Sequence, residues 1–411
     1  MRRTAILAGL TVLALLAAVF GTNAVEVWTK HIKIGLDDFA HDVTLLDDGG
    51  YLLAAETALQ YEPTILMDGL LLRLDAAGTT IWEKTYGGDR SASLYSLLEL
   101  EEGGFVVSGM VQSADGDDSD AFLLRVDADG NELWSRSYGT QLDEGARTVV
   151  RNSDGGFFLI GNSIDPNDIV ANPGAAGYAG AAGRGNVFVV RTDANGNEIW
   201  SRRYESELNT LASGGRTTDD GGAIILAYIL YYPVEDNDTV LFKIDSEGNE
   251  VWTRTWEEGK SSGYSLAPTS DGGCAISGIL SYPEDPAYEK SQAMLIRVDA
   301  EGNELWSATY GDSDRVETAH SVLEMSDGRI LCIGWQEQDL YSWTDDILLA
   351  AFNREGEMLW QEVIDSYYHN LHEGFVEHPD GSLVVAGAAS RPGRSFLIQL
   401  LKIDISEAGD V

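Results

Sequence analysis

The sequence predicts an all-β protein: a seven-bladed β-propeller of four-stranded antiparallel blades, closed by the N-terminal strand joining the last blade. Three observations predict it. Seven tryptophans, Trp28, Trp82, Trp134, Trp200, Trp252, Trp306 and Trp360, recur at gaps of 54, 52, 66, 52, 54 and 54 residues. A second signal recurs between them: Asp48-Gly-Gly50, Glu102-Gly-Gly104, Asp154-Gly-Gly156, Asp220-Gly-Gly222 and Asp271-Gly-Gly273, decaying to Asp327-Gly-Arg329 and Asp380-Gly-Ser382. Each repeat also holds four strand-like runs, and a unit of about fifty residues with four strands is a propeller blade.

The elements follow in order. Arg2 and Arg3 precede an apolar run from Ala5 to Phe20 and a small-residue step, Thr22-Asn-Ala24. This predicts a signal peptide over 1–24, cleaved after Ala24. The alternative is a retained anchor, for which the run of sixteen residues is short. No later segment is long and apolar enough to span a membrane. Residues 25–411 then form a single propeller domain. Within a blade, the Asp-Gly-Gly step is a tight hairpin between the first and second strands, glycine supplying the positive φ and Asp bonding local backbone. The second strand, such as Phe157-Phe-Leu-Ile-Gly161, is apolar at successive positions and so buried on both faces. The third strand ends in an Asp turn, as in Phe122-Leu-Leu-Arg-Val-Asp127, and the fourth carries the Trp and turns polar. The residue ten before each Trp (Leu72, Leu124, Val190, Phe242, Ile296, Ala350) is expected opposite it, and the seven tryptophans are expected to pack between blades. The chain's last strand, 395–404, has no Trp strand after it, whereas 25–34 is an orphan Trp strand; pairing the two completes the seventh blade. The blades are expected at about 40–86, 92–138, 145–205, 208–256, 262–310, 317–364, and 370–405 with 25–34.

Composition limits the partners. The chain carries 67 acids against 27 Lys and Arg, a formal charge of −40, and loss of Arg2 and Arg3 with the leader takes this to −42. That excludes a nucleic-acid-binding surface and adhesion to anionic lipid, and it fits a well-solvated monomer. Cys274 and Cys332 fall at offsets of equal parity after their turn Asp, so they face the same side of neighbouring blades and are expected as unpaired, buried filler.

The Asp-x-x-Gly-x-x-x-Trp step, as in Asp127-Ala-Asp-Gly130-Asn-Glu-Leu-Trp134, resembles the tryptophan-docking motif of quinoprotein-like (PQQ-like) β-propellers. The turn is one residue shorter than is usual there, and Asn131, Asn197, Asn249 or Asn303 stands after the Gly where that family has Lys. The Asp-Gly-Gly hairpins are similar to the delta-60-like repeats of secreted and cell-surface microbial proteins. The resemblance spans six whole copies and the orphan strand. It implies the propeller fold and export to the cell surface or beyond; it implies no reaction.

Function is sought where the repeats differ. Seven residues before each turn Asp stand His41, Tyr95, Arg147, Ser213, Tyr264, His320 and Glu373, expected as a ring at the loop-side mouth of the central channel. One position later the series is small or polar: Asp42, Ser96, Thr148, Gly214, Ser265, Ser321 and Gly374. The loop face of blades four to seven is rich in aromatics interleaved with acids. Tyr231, Tyr232, Tyr282, Trp335, Tyr341 and Trp343 are its candidate binding residues, alongside Tyr228 and Trp256. The third blade carries an insertion, a loop from Asn162 to Asn186 with a Gly/Ala-rich run. No cofactor motif is evident. Asp115, Asp117, Asp118 and Asp120 are a weak Ca²⁺ candidate. His369 and His372 are a weak metal pair on a loop-to-strand junction. These features predict an exported binding or scaffold protein whose loop face takes a glycan or protein partner. The alternatives are a carbohydrate-active hydrolase or lyase at the channel mouth, with Glu373 one of two carboxylates, and, third, a quinoprotein dehydrogenase.

Overall fold

The computed structural model describes residues 25–60, 66–113, 116, 118–168, 184–231, 236–256, 261–281, 290–312, 315–337, 345–364, 369–390 and 395–406. Every regular element among them is a strand, and none is a helix long and apolar enough to cross a membrane. The strands form seven four-stranded antiparallel sheets. Blade one holds Asp38–Leu45, Tyr51–Gln60, Leu66–Leu74 and Thr80–Tyr86. The next five blades occupy 92–138, 143–204, 209–256, 261–310 and 317–364. The seventh holds His369–Glu377, Leu383–Ser390 and Leu397–Asp404, and Val25–Ile32 pairs with the last of these as its fourth strand. The closing strand ends at Ile32, two residues short of the sequence expectation. Beyond it, Ile34 and Gly35 donate their amides to Asp38 and lead into blade one.

Apolar clusters lie between consecutive blades. Leu52, Leu71, Leu94 and Val107 belong to one of them; Leu383, Leu401 and Trp360 belong to another. Each second strand is covered on both faces, which is why its sequence does not alternate. Cys274 and Cys332 are unpaired and buried, one in the cluster between blades four and five, the other in that between five and six.

The tryptophans dock from blade to blade. A β-carbon on Gly130 would lie 2.6 Å from the Trp82 ring, and one on Gly196 would lie 2.6 Å from Trp134. The same juxtaposition recurs for Gly248 and Trp200, Gly302 and Trp252, Gly356 and Trp306, and Gly78 and Trp28. The indole of one blade therefore lies against the bare peptide of the next blade's outer turn. Tyrosine reinforces it: Tyr86, Tyr138 and Tyr204 donate their hydroxyls to the carbonyls of Gly130, Gly196 and Gly248 at 2.7, 2.6 and 2.8 Å. The Asn after Gly130, Gly196, Gly248 and Gly302 has its own task. In the turn at Asp127, the carboxylate accepts from the Asp129 and Asn131 amides and from the Asn131 side chain at 3.0, 2.8 and 2.9 Å. The turns at Asp193, Asp245 and Asp299 repeat this. The extra bonds, that from Asn131 foremost, hold the Asp127 carboxyl below its usual range.

The partner across from each Trp is not the expected one. Trp82 pairs with Arg73, Trp134 with Arg125, Trp200 with Arg191, Trp252 with Lys243, Trp306 with Arg297 and Trp360 with Ala351, nine residues back rather than ten. A β-bulge one step before each Trp adds a residue to the outer strand and shifts the register. The bulged residues are Val27, Ile81, Leu133, Ile199, Val251, Leu305 and Leu359, each 42–57% exposed. In five blades the shift gives the third strand's basic residue a task, because it pairs with its own blade's hairpin acid, whereas in blade two Arg125 bonds the Gly103 carbonyl and Glu102 pairs with Arg151 of blade three. Arg73 bonds Asp48, Arg191 bonds Asp154, Lys243 bonds Asp220, Arg297 bonds Asp271 and Lys402 bonds Asp380. Blade six has Ala351 at that position, and there Arg329, in place of the hairpin's second Gly, pairs with Asp327 at 2.7 Å. The decayed Asp-Gly-Arg step is thus a compensation.

Buried acids fasten the loops between blades. Asp38 accepts from Ile34 N, Gly35 N and Thr57 Oγ1 at 2.9, 2.8 and 2.6 Å. Glu144 accepts from Thr140 N and from the hydroxyls of Thr140 and Ser163. Glu317 is also fully buried, yet it accepts a single backbone bond, from Asp312 N at 2.7 Å, and its other oxygen has no hydrogen-bond partner among the described residues. Burial accordingly pushes its carboxyl up from about 4.5 to about 7.

Two outcomes follow. Gly130→Ala places a side chain at a φ of +74° and against Trp82. It should destabilise the protein by on the order of 2 kcal/mol, read as a lowered melting temperature; an unchanged melt contradicts the docking. For Glu317, the folded chain binds the proton more tightly than the unfolded chain does. Stability from this group is therefore full below about pH 4.5 and is lost as pH rises to about 7. The loss is on the order of 3 kcal/mol. Glu317→Gln, held neutral, should flatten that decline in urea unfolding compared at pH 5 and pH 8; an equal decline in both proteins would contradict it.

Candidate functional site

The innermost strand of every blade carries a β-bulge at one equivalent place. Register slips between Ala40 and Asp42, Leu94 and Ser96, Ala146 and Thr148, and Ala212 and Gly214. It slips likewise between Gly263 and Ser265, Ala319 and Ser321, and His372 and Gly374. The residues skipped are His41, Tyr95, Arg147, Ser213, Tyr264, His320 and Glu373. A bulge re-aims its extra residue, and here it turns one residue per blade out of the ladder at the axis. The second strand makes room for it. Opposite the residue preceding each bulge stand Ala55, Gly109, Gly161, Ala227, Gly278, Gly334 and Gly387. A β-carbon on Gly109, Gly161, Gly278 or Gly334 would run into the carbonyl of Ser93, Gly145, Ser262 or Thr318. In every blade this Gly or Ala lies within the second strand, not at its end.

Six of the seven, His41, Tyr95, Arg147, Ser213, Tyr264 and His320, line one cavity of about 430 Å³ on the axis. The small residues one step on, such as Ser96, Thr148 and Ser321, line it too. Glu373 lies in the strand His369–Glu377, but its side chain lies outside the described residues, as do those of His369 and His372. One side of the cavity is aromatic. Tyr264 stacks on His320 with centroids 5.2 Å apart and planes at 21°, and Tyr228 meets Tyr264 edge-on at 6.2 Å. The Trp335 indole donates to His320 Nε2 at 3.0 Å, which leaves the proton of a neutral His320 on Nδ1. On the other side the His41 ring stands edge-on to Tyr95 at 5.0 Å, and the Arg147 guanidinium lies 5.7 Å from the Tyr95 ring centre. His41 Nε2 is 3.6 Å from Glu56 Oε1, and Ser213 donates to the Gly263 carbonyl at 2.6 Å.

Asp42 is the one carboxylate among the described lining residues. It accepts from Leu97 N and Val43 N at 2.9 and 2.8 Å, tying blade one to blade two. Burial outweighs both bonds and pushes its carboxyl up to about 6. Burial likewise pushes the Tyr264 phenol up to about 12 and raises that of Tyr228, so both are neutral hydrogen-bonding groups near pH 7. The cavity can thus stack a flat face on Tyr264 and His320, offer hydroxyl donors and acceptors, and present a guanidinium.

The loop-face residues fare differently. Trp335 sits within the strand Ile330–Glu337, paired with Thr318, and so belongs with the mouth cluster. Tyr228 lines the cavity from the strand Ala223–Tyr231. Tyr232, Tyr282, Tyr341, Trp343 and the Tyr231 side chain lie outside the described residues. The insertion in blade three is shorter as a loop than 162–186. Asn162 to Asp165 pair with Val187 to Arg184 as continuing ladder, and Arg184 forms an ion pair with Asp168. Of the Ca²⁺ candidates, Asp120 lies at the start of the third strand of blade two and Asp118 just before it, and Asp115 and Asp117 lie outside the described residues. Among the described residues no three His, Cys, Asp or Glu are grouped to hold a metal.

No family model matches the chain. A regulatory protein of Caulobacter vibrioides, FlaEY, is 26% identical over an alignment of 218 residues that covers 47% of this chain and 22% of that protein. The match therefore spans about a fifth of the relative's length. Among solved structures, an ulvan lyase of a polysaccharide lyase family, bound to a GlcA(1-4)Rha3S unit, superposes with a TM-score of 0.53 at 9% identity over 90% of this chain and 95% of that one. A protein of unknown function from Dyadobacter fermentans superposes with a TM-score of 0.50 at 11% identity over 93% and 99%. At such identities the likeness shows the β-propeller fold alone.

Proposed function

We propose that this protein is an exported binding propeller whose loop end recognises a glycan, with the cavity at the channel mouth as the anchor. One observation carries the reading: seven equivalent bulges hold residues of five different types, six of them lining the axial cavity, while the position after each stays small or polar. A position that served folding alone would repeat one residue type, as the docking Trp and its Gly do. Aromatic faces beside hydroxyl groups suit a sugar ring, which has an apolar face and a polar rim. Export draws on the leader expected over 1–24. Kinship with quinoprotein-like propellers is part of the same proposal and draws on the Trp–Gly docking between blades.

A second reading places acid–base chemistry on a saccharide in the same cavity. It draws on Asp42, with its carboxyl near 6, beside His41 at the mouth; turnover of a bound glycan would support it.

Binding is the direct test. A glycan array followed by calorimetry on the full chain should find a saccharide ligand. Tyr264→Ala should weaken it by at least about tenfold, with the melting temperature kept within a few degrees. A silent array, or a ligand indifferent to Tyr264→Ala, would remove the cavity from the account.

A further inference from the structure

Arg147 differs from every other described arginine. Arg73, Arg151, Arg191, Arg297 and Arg329 pair with turn acids. Arg184, Arg203, Arg315 and Arg354 form ion pairs elsewhere. Arg90, Arg125, Arg136, Arg202, Arg216 and Arg254 donate to backbone carbonyls. Among the described residues Arg147 makes no hydrogen bond and no ion pair; its contact is with the face of Tyr95. It is exposed, and it lines the axial cavity. Its neighbours in the ring, Tyr95 and Ser213, carry no charge, and the Ser213 hydroxyl is already spent on the Gly263 carbonyl. In a chain with 67 acids and 27 Lys and Arg, an arginine left without an anion at the mouth of a polar cavity is unexpected.

A guanidinium drawn to an aromatic ring by its charge spends no N–H donor on a hydrogen bond there, so its donors stay available to an anion. The fork they form matches the two oxygens of a carboxylate or sulfate. Tyr264 and His320 supply a stacked aromatic surface in the same cavity.

From this arrangement we infer that the cavity takes an acidic saccharide, its oxyanion held by Arg147 and its ring face by Tyr264 and His320. The inference rests on the glycan-binding reading and narrows its ligand to one chemical class. Arg147 is then the residue that sets specificity for charge, and the aromatic pair serves acidic and neutral sugars alike.

Calorimetric titration of the full chain with oligosaccharides of glucuronate, glucose 6-sulfate and glucose tests it. The glucuronate or the sulfated ligand should bind at least about tenfold more tightly than the neutral one, and whichever of the two does so identifies the oxyanion. Arg147→Gln should cost the acidic ligand roughly 10–100-fold, the loss of one charge-assisted contact, and leave the neutral one unchanged. Arg147→Lys, which keeps the charge and loses the fork, should fall between. Since Arg147 makes no bond within the described structure, the melting temperature of both variants should equal that of the parent. Neutral and acidic ligands binding equally, or acidic binding indifferent to Arg147→Gln, would overturn the inference and leave glycan binding standing. No binding of any saccharide would overturn both.

Discussion

The contact on which this molecule depends is an indole laid on a glycine peptide of the next blade. A propeller blade cannot bury its own second strand; it needs a neighbour on each face. The Trp–Gly contact sets how closely the neighbour sits, because any side chain at the glycine would occupy the space of the ring. Tyr86, Tyr138 and Tyr204 bond the same glycine carbonyls and so fix the docking angle as well as the distance. The Asp–Asn turn that presents the glycine, and the Arg or Lys that pairs with the hairpin acid, hold the two ends of the blade for that contact. At the seam, Trp28 is supplied by the closing strand and lies against Gly78 of blade one. The ring is complete only because the first strand of the domain finishes its last blade.

Against that regular outer frame, the axis is built for variety. The same backbone irregularity occurs seven times, opposite a Gly or Ala that lets the strands approach. The bulge takes one residue per blade out of the ladder, so strand pairing does not dictate its type. Histidine, tyrosine, arginine and serine converge on one space without a shared packing reason. Asp42 shows that the mouth is also coupled to the frame: it links blades one and two through Leu97 N while lining the cavity.

Much of this was legible in the residues. The Trp period and the Asp-Gly hairpins gave the blade count, the strand order and the closure, because both are local signals that each blade must repeat. The hairpin Asp also gave a frame in which the ring residues fell into one column. The bulges were not legible as bulges, since an inserted residue leaves the apolar pattern on either side intact. For that reason Leu72 and its equivalents were expected opposite the tryptophans, where Arg73 and its equivalents stand. The basic residue nine before five of the tryptophans, Arg73, Arg125, Arg191, Lys243 and Arg297, is a readable signal of that register. Its absence at Ala351, together with Arg329 in the decayed hairpin, would have confirmed its role. Trp335, expected on the loop face, belongs to the strand Ile330–Glu337, and its indole bonds His320 at the mouth.

The central claim is that the bulged ring, and not the docking tryptophans, meets the ligand. Aromatic ¹H–¹³C spectra of the full chain, titrated with a saccharide bound on the array, test it most directly. The account predicts shifts concentrated on Tyr95, Tyr264, His41 and His320, with Trp82, Trp134 and Trp252 unmoved. Shifts at those tryptophans, or none in the ring residues at saturating ligand, would contradict it.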